Sequence, residues 1–151
     1  MISQQQYRFS LDEKKIKNLE MLLPQHQKLK TFISPATLNK VPKIYLIRYK
    51  SKVIYVGITA QSISNRLRYG LNAQGKNGYH GYKWKKIKEP LRLCIYTFKN
   101  DTEERVEAIE AEIVYLIRNK TGAWPEYQTE IHFHNATESE KKIAERIYNE
   151  I

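Results

Sequence analysis

Two short runs of β-branched and aromatic residues, joined by three polar residues, constrain the fold of this chain most. Ile44 to Tyr49 and Val53 to Ile58 are rich in isoleucine, valine and tyrosine, and Lys50-Ser51-Lys52 lies between them. Such runs are typical of β-strands, and a short polar link between two of them predicts a β-hairpin. The chain is therefore expected to build its sheet around an antiparallel pair.

The length of the hairpin loop decides which side chains share a face. A three-residue loop places Tyr45 and Tyr55 on one face, whereas a two-residue loop separates them, because side chains alternate along a strand. With the longer loop the opposite face is the core face, and its members are Ile44, Leu46, Ile54, Val56 and Ile58.

Local patterns after the hairpin predict two helices and one more strand. A helix begins near Ser62, a glycine-rich loop spans residues 70–81, and Leu91 to Phe98 read as a third strand. Asp101 with Glu104 resembles a capping box before a long helix. The order β-β-α-loop-β-α predicts a small α/β domain with a three-stranded, hairpin-based antiparallel sheet flanked by helices.

The two ends of the chain read as extensions of that domain. Residues 11–23 predict a helix that stops near Pro24, so residues 1–40 are expected to form an N-terminal helical arm. Residues 41–125 form the central domain in this division. Residues 126–151 form a C-terminal strand and helix packed on it, with the strand at 131–134 and the helix from about Thr137.

Charge is concentrated in the centre of the chain. The sequence has 26 Lys and Arg against 16 Asp and Glu, a net charge of +10, and residues 40–92 hold thirteen of the basic residues and one acid. Residues 101–151 hold six basic residues against twelve acids. A basic segment with interleaved aromatic residues favours nucleic acid as a partner, because cations neutralise phosphates.

Composition also excludes several classes of protein. A single cysteine, Cys94, excludes an intrachain disulfide framework and a cysteine-based zinc site. The sequence lacks a long apolar run, and its first six residues lack the features of a signal peptide. We therefore expect a cytoplasmic protein without a membrane span.

One ordered set of residues carries the functional signal. Lys43-Ile44-Tyr45 is followed by Tyr55-Val56-Gly57, then by Arg66 on the next helix and by a glutamate on a later one. Tyr55 follows Tyr45 by ten positions and Arg66 follows Tyr55 by eleven. Over about residues 43–120 this set resembles the GIY-YIG nuclease family. The chain departs from the family pattern at Lys43, where glycine is usual, and at Gly70, where many members have histidine.

The resemblance implies a metal-dependent endonuclease that hydrolyses DNA phosphodiester bonds, of a restriction type or a stand-alone type. Tyr45 is then the general base, Tyr55 assists it, and Arg66 stabilises the transition state. The resemblance implies Glu110 as the ligand of Mg²⁺ or Mn²⁺, because the family pattern has an apolar residue immediately before the glutamate and another three positions after it, as here. Glu112 is the second choice.

The expected partner is double-stranded DNA, and cutting both strands favours a homodimer. The residues expected to contact nucleic acid are Lys43, Arg68, Lys76, His80, Lys83, Trp84, Lys85 and Lys86. Gln128 and Asn135 are both candidates for a family asparagine that follows the glutamate. His132 and His134 are interpreted as a polar strand face rather than a zinc site. The alternative function is a non-catalytic nucleic-acid-binding module on the same scaffold.

Overall fold

The structure, a computed structural model, describes residues 2–151 and contains one six-stranded sheet with three α-helices. In chain order the elements are β1 (Ile2–Asp12), β2 (Lys15–Leu23), β3 (Gln27–Lys28), β4 (Lys43–Tyr49), β5 (Lys52–Thr59), α1 (Ile63–Asn72), β6 (Leu91–Phe98), α2 (Glu103–Thr121) and α3 (Glu138–Glu150). The strand order across the sheet is β3-β2-β1-β6-β4-β5, and every neighbouring pair is antiparallel. The α/β class is confirmed, but the sheet has six strands where the sequence predicted three.

The predicted N-terminal helix is wrong, because residues 11–23 belong to a β-hairpin. β1 lies inside the sheet and pairs with β6 from Ile2↔Phe98 to Phe9↔Leu91, and β2 pairs with the other side of β1. Burial in β2 alternates, with Leu19 and Met21 buried, as expected for a strand and not for a helix. The strand conformation of residues 15–23 depends on backbone pairing with β1, which β6 in turn holds inside the sheet.

A β-bulge sets the register of the central hairpin. The loop between β4 and β5 has two residues, Lys50 and Ser51, since Tyr49 pairs with Lys52. Ile47 then pairs with Tyr55 and Arg48 with Val53, which leaves one extra residue on β5. A bulge shifts the alternation by one residue. Tyr45 and Tyr55 therefore share a face, although the loop is the shorter of the two considered.

The sheet is buried on both faces. Helix α1 and residues 82–87 cover the face that carries Tyr45, and α2 with α3 cover the opposite face that carries Ile44. The sequence assigned the core to the Ile44 face alone, and it assigned Ile54 there. The bulge moves Ile54 to the tyrosine face.

Side-chain and glycine caps determine where the later helices begin and end. Thr102, and not Asp101, caps α2 by accepting a hydrogen bond from the backbone N–H of Arg105 at 3.1 Å. Gly122 ends α2 in the left-handed conformation. Thr137 and Glu140 form a capping box at the start of α3. Residues 131–134 lie in irregular chain, so the strand predicted there is wrong.

Membrane insertion through a helix finds no support in the fold. Within residues 2–151, none of the helices combines the length and the apolar character that crossing a bilayer requires.

Candidate active site

The hairpin holds two tyrosines close together on one face. Tyr45 of β4 pairs directly with Gly57 of β5, and the rings of Tyr45 and Tyr55 lie 5.9 Å apart. A Cβ atom at position 57 would overlap the Tyr45 ring. Glycine is therefore required at this position so that the tyrosine side chain can cross the neighbouring strand.

Helix α1 places Arg66 against this aromatic face. The guanidinium carbon lies 4.9 Å from the centre of the Tyr82 ring, and Nη1 donates a hydrogen bond to the Tyr79 hydroxyl at 3.1 Å. A guanidinium over an aromatic ring gains cation–π stabilisation, and the remaining N–H groups are free to bind an anion. Arg66 is thus held in place by residues of the loop that follows its own helix.

Three further phenols, in addition to Tyr79, lie near the arginine side chain. The hydroxyls of Tyr45 and Tyr82 are 2.8 Å apart, and both rings are buried. Burial raises the pKa values of Tyr45, Tyr55 and Tyr82 above their usual range, while the charge of Arg66 acts in the opposite direction. At neutral pH these hydroxyls are therefore protonated hydrogen-bonding groups.

A small open cavity of about 120 Å³ brings residues from several parts of the chain together. Its walls include Tyr55, Arg66, Tyr82, Glu110, Gln128 and His132. The cavity thus joins the second tyrosine motif, the arginine and the preferred glutamate. Tyr45 does not line it, but its hydroxyl is hydrogen-bonded to that of Tyr82, which does.

The Glu110 carboxylate is buried and incompletely paired. Glu110 is 3% exposed, and its Oε2 atom has no hydrogen-bond partner. The nearest basic group is Nδ1 of His132, 3.5 Å from Oε2. Burial raises the pKa of the Glu110 carboxyl, and the neighbouring His132 acts in the opposite direction. A buried carboxylate oxygen without a partner suits a hard divalent cation that retains several water ligands.

Two neighbouring glutamates of this helix, Glu107 and Glu112, have different surroundings. Glu112 lies outside the cavity, in a neighbouring depression lined by Tyr115 and His134. Glu107 lies 3.1 Å from Nδ1 of His132 and 3.7 Å from Nε2 of His134. Between residues 2 and 151, no three His, Cys, Asp or Glu side chains cluster in a way that would hold a metal ion. A cation here would depend on Glu110 and on water.

An amide side chain attaches the C-terminal segment to the sheet edge. Gln128 accepts a hydrogen bond from the N–H of Val56 and donates one to its carbonyl, both at 2.9 Å. The N–H of Tyr127 donates to the carbonyl of Ile54 at 2.9 Å. The segment that contains Tyr127 and Gln128 is therefore bonded to β5 at the sheet edge. This attachment places His132 next to Glu110. The sequence offered Gln128 as one counterpart of a family asparagine, and in the structure its amide is bonded to the backbone.

Two residues expected to contact nucleic acid are buried instead. The Lys43 ammonium donates to the carbonyls of Leu38, Val41 and Gln61 at 2.6, 2.7 and 2.9 Å. Trp84 is 0% exposed and stacks on Tyr82 at 4.6 Å. The predictions that these two side chains bind nucleic acid are therefore wrong, since both are structural.

The other predicted contacts fall into two groups. Lys85 bonds the carbonyls of Ala73 and His80 at 3.0 and 2.7 Å, so it stabilises the loop. The remaining side chains are exposed, and Lys83 also lines the cavity. The exposed group consists of Arg68, Lys76, His80, Lys83 and Lys86.

Sequence reasoning missed the full set of residues around Arg66. Tyr79 and Tyr82 stood out only as aromatics among lysines, and His132 only as part of a polar face. The residue that could have indicated the contact with Tyr82 is Gly70, because a Cβ atom at this position would overlap the ring of Tyr82. A glycine within the last turn of a helix is consistent with another group that approaches the backbone closely.

The fold is a small α/β domain in which an arginine and a glutamate from different helices line one cavity. The family model described as the GIY-YIG catalytic domain matches residues 42–122, more than half of the chain. The chain therefore belongs to the GIY-YIG family, whose members are usually nucleases, and the predicted family resemblance is confirmed. No curated protein and no solved structure matches the chain.

Proposed function

We propose that this protein is a metal-dependent endonuclease that hydrolyses phosphodiester bonds of double-stranded DNA, as a restriction-type or stand-alone enzyme. The observation that carries the proposal is that Arg66, Tyr55 and Glu110, from three different elements, line one cavity. An arginine for phosphate, a neutral phenol and a carboxylate for a hard cation form a consistent set for phosphodiester hydrolysis.

Arg66 and Tyr55 are proposed to hold the scissile phosphate. The planar guanidinium of Arg66 donates to two phosphate oxygens and stabilises the charge that develops in the transition state. Because burial raises the pKa of Tyr55, its hydroxyl is protonated and can donate a further hydrogen bond. Removal of one such donor typically costs about 10²- to 10³-fold in rate.

Glu110 is proposed to hold Mg²⁺ or Mn²⁺ through its buried Oε2 atom, which has no hydrogen-bond partner and lies 3.5 Å from Nδ1 of His132. When bound, such a cation supplies Lewis-acid stabilisation of the phosphate and of the leaving oxygen. His132 is proposed to orient the Glu110 carboxylate, in the manner of an outer-shell partner.

Tyr45 remains our proposed general base, with Tyr82 as the link to the cavity. For the base to act, Tyr45 must be ionised; burial opposes that form and raises the pKa of Tyr45, whereas the charge of Arg66 favours it, so only a small ionised fraction acts at neutral pH. The attacking water then gives a proton to the Tyr82 hydroxyl as Tyr82 passes its own proton to the Tyr45 phenolate. The 2.8 Å separation of the two hydroxyls suits this transfer.

Cleavage of plasmid DNA tests the proposal. Supercoiled plasmid is incubated with Mg²⁺ or with EDTA, using the wild type and the Arg66→Ala, Glu110→Ala and Glu112→Ala variants. We expect metal-dependent cutting that is lost in the first two variants and retained in Glu112→Ala, which changes a carboxylate of the same helix outside the cavity. Loss of cutting in Glu112→Ala alone would move the metal ligand to that residue.

Two finer points belong to the same experiment. Discrete fragments from large, varied DNA would support a restriction-type enzyme, whereas a smear would support a less selective nuclease. Direct linearisation without a nicked intermediate, together with a dimer mass in sedimentation, would support the proposed homodimer.

The second candidate is a non-catalytic nucleic-acid-binding module on the same scaffold. The charge of the chain favours this candidate as much as it favours a nuclease, because both must bind phosphates. Residues 21–88 contain no Asp or Glu that would repel them. This candidate predicts salt-sensitive DNA binding that is indifferent to Mg²⁺ and to Glu110→Ala, with no cutting of any DNA.

A further inference from the structure

The exposed face of helix α1 carries four polar or aromatic side chains in one row. The spacings between these residues are three, one and three positions, which places them on one face of the helix. The row consists of Asn65, Arg68, Tyr69 and Asn72. All four are exposed, and Tyr69 is 61% exposed. The opposite face of the helix is buried in the core, so this row is the part of α1 that a partner can reach.

A shallow depression of about 700 Å³ lies beside this row. The loop after the helix forms its other wall, with Gln74, Lys76 and Asn77. The lining therefore contains four amide side chains and two cations, and no carboxylate. Amides both donate and accept hydrogen bonds, whereas lysine and arginine neutralise phosphates.

Backbone hydrogen bonds hold the loop wall in a defined conformation. The N–H of Gly75 donates to the carbonyl of Tyr79 at 2.8 Å, and the N–H of Gly78 donates to that of Gly75 at 2.9 Å. The amides on this wall are therefore carried by a turn that is already closed before a partner binds, which lowers the entropic cost of binding.

Tyr79 joins this depression to the cavity that holds Arg66. Its ring stacks on Tyr69 with the centroids 5.1 Å apart and the planes at 14°. Its hydroxyl accepts the hydrogen bond from Arg66, and its side chain lines both hollows. A strand of nucleic acid with its phosphate at Arg66 would thus have its adjacent bases next to the α1 row.

We propose that the α1 row, Asn65, Arg68, Tyr69 and Asn72, reads base edges in the major groove of duplex DNA. The major groove admits an α-helix, asparagine pairs with the edge of adenine, and arginine pairs with the edge of guanine. The location of these bases next to the cleaved bond rests on the proposed function. The reading itself does not, because it is a property of binding.

Selection of bound DNA tests the proposal without requiring cleavage. Full-length protein carrying Glu110→Ala is used to select duplexes from a randomised pool in the presence of Ca²⁺. The same selection is then run with Asn65→Ala and Asn72→Ala added together. The matched control adds Asn119→Ala, which removes an exposed helical asparagine from α2 instead. Circular dichroism verifies that each variant is folded.

We expect the parent protein and the Asn119→Ala control to enrich the same motif. One-base changes within it should weaken binding by about 5- to 160-fold, the range for loss of a good base contact. The Asn65→Ala, Asn72→Ala protein should retain DNA binding while discrimination at one or two positions falls below about 2-fold.

An unchanged motif in the double variant would overturn the proposal, as would the absence of any enriched motif in the parent. Failure of the proposed function has a different signature, since the wild type would then bind the motif and leave it uncut with Mg²⁺. A uniform loss of affinity without a change in motif would identify the row as a phosphate-binding surface and would also overturn base reading.

Discussion

The ring of Tyr82 occupies the space that a side chain at Gly70 would fill on helix α1. The N–H of Tyr82 donates to the carbonyl of Gly70 at 3.1 Å, so the loop is fixed to the helix at the same point. The close packing of Tyr82 on Gly70 places the Tyr82 hydroxyl within hydrogen-bond distance of Tyr45 and the Tyr82 ring against Arg66. The glycine is therefore part of how the site is built.

Replacement of Gly70 with alanine is expected to destabilise the protein and reduce DNA cutting. Alanine favours the helix by about 1 kcal/mol over glycine, whereas overpacking against the Tyr82 ring costs about 1–3 kcal/mol. Thermal unfolding and plasmid cleavage measure the two effects. Ser64→Ala on the same helix serves as the control, and a higher Tm for Gly70→Ala would contradict the close contact.

Tyr45 and Tyr82 are expected to act as one unit. Tyr45→Phe and Tyr82→Phe should each lower the cleavage rate by about 10²-fold or more, since each removes one end of the same proton path. The double variant should be no slower than the slower single variant. Rates are measured under single-turnover conditions. Tyr115→Phe, on the exposed face of α2, is the control.

If the fold-reduction in cleavage rate of the double variant equals the product of the two single fold-reductions, the two hydroxyls act independently. Full activity of Tyr45→Phe would remove Tyr45 from the role of general base.

The buried ammonium of Lys43 is expected to make stability depend on pH in the alkaline range. Burial lowers the pKa of Lys43 to about 8 from 10.5. Between these two values the unfolded chain holds this proton more tightly than the folded chain does. The free energy of unfolding should therefore rise with pH there, by at most about 1.4 kcal/mol per pH unit.

Urea unfolding of wild type and Lys43→Met at several pH values between 7.5 and 10.5 isolates this contribution, because the other titrating groups are shared. The wild-type curve should rise relative to that of the variant as pH increases. Parallel curves would mean that the three carbonyl acceptors offset the cost of burying the charge.

Loss of the Gln128 amide is expected to loosen the segment that carries His132. Gln128→Ala leaves the N–H and the carbonyl of Val56 without this partner, at a cost of about 1–3 kcal/mol. Hydrogen exchange of the Val56 amide should accelerate, and Mg²⁺ binding measured by calorimetry should weaken. Gln25→Ala, at an exposed position, is the control. Unchanged exchange at Val56 would show that the edge pairing does not depend on this side chain.

Elements whose signals lie within their own span were predictable from the sequence. The β6 strand begins and ends at the predicted residues, Leu91 and Phe98, and α1 begins directly after Ser62. Gly122, in the left-handed conformation, ends α2, as a glycine after the last helical turn commonly does. In each case the periodicity of apolar residues and the capping residue act over a few neighbouring positions.

The N-terminal hairpin was not predictable in this way. The apolar residues of 11–23 fit a helix as well as a strand, and the choice depends on pairing with β1, which is itself held in the sheet by β6, a strand much later in the chain. The register of the central hairpin was also not predictable from local patterns. The loop has two residues, and the bulge at Ile54 is what places Tyr45 and Tyr55 on one face.

The sequence by itself determined the family, the order of tyrosines, arginine and glutamate, and the concentration of positive charge before residue 89. Only the tertiary structure decided which of these groups share a cavity. Contacts between residues far apart in sequence make that decision, such as Tyr45 with Tyr82 and Val56 with Gln128. Such contacts depend on side-chain packing and on backbone pairing across the whole domain. Local sequence patterns specify neither of these, because they extend over only a few neighbouring residues.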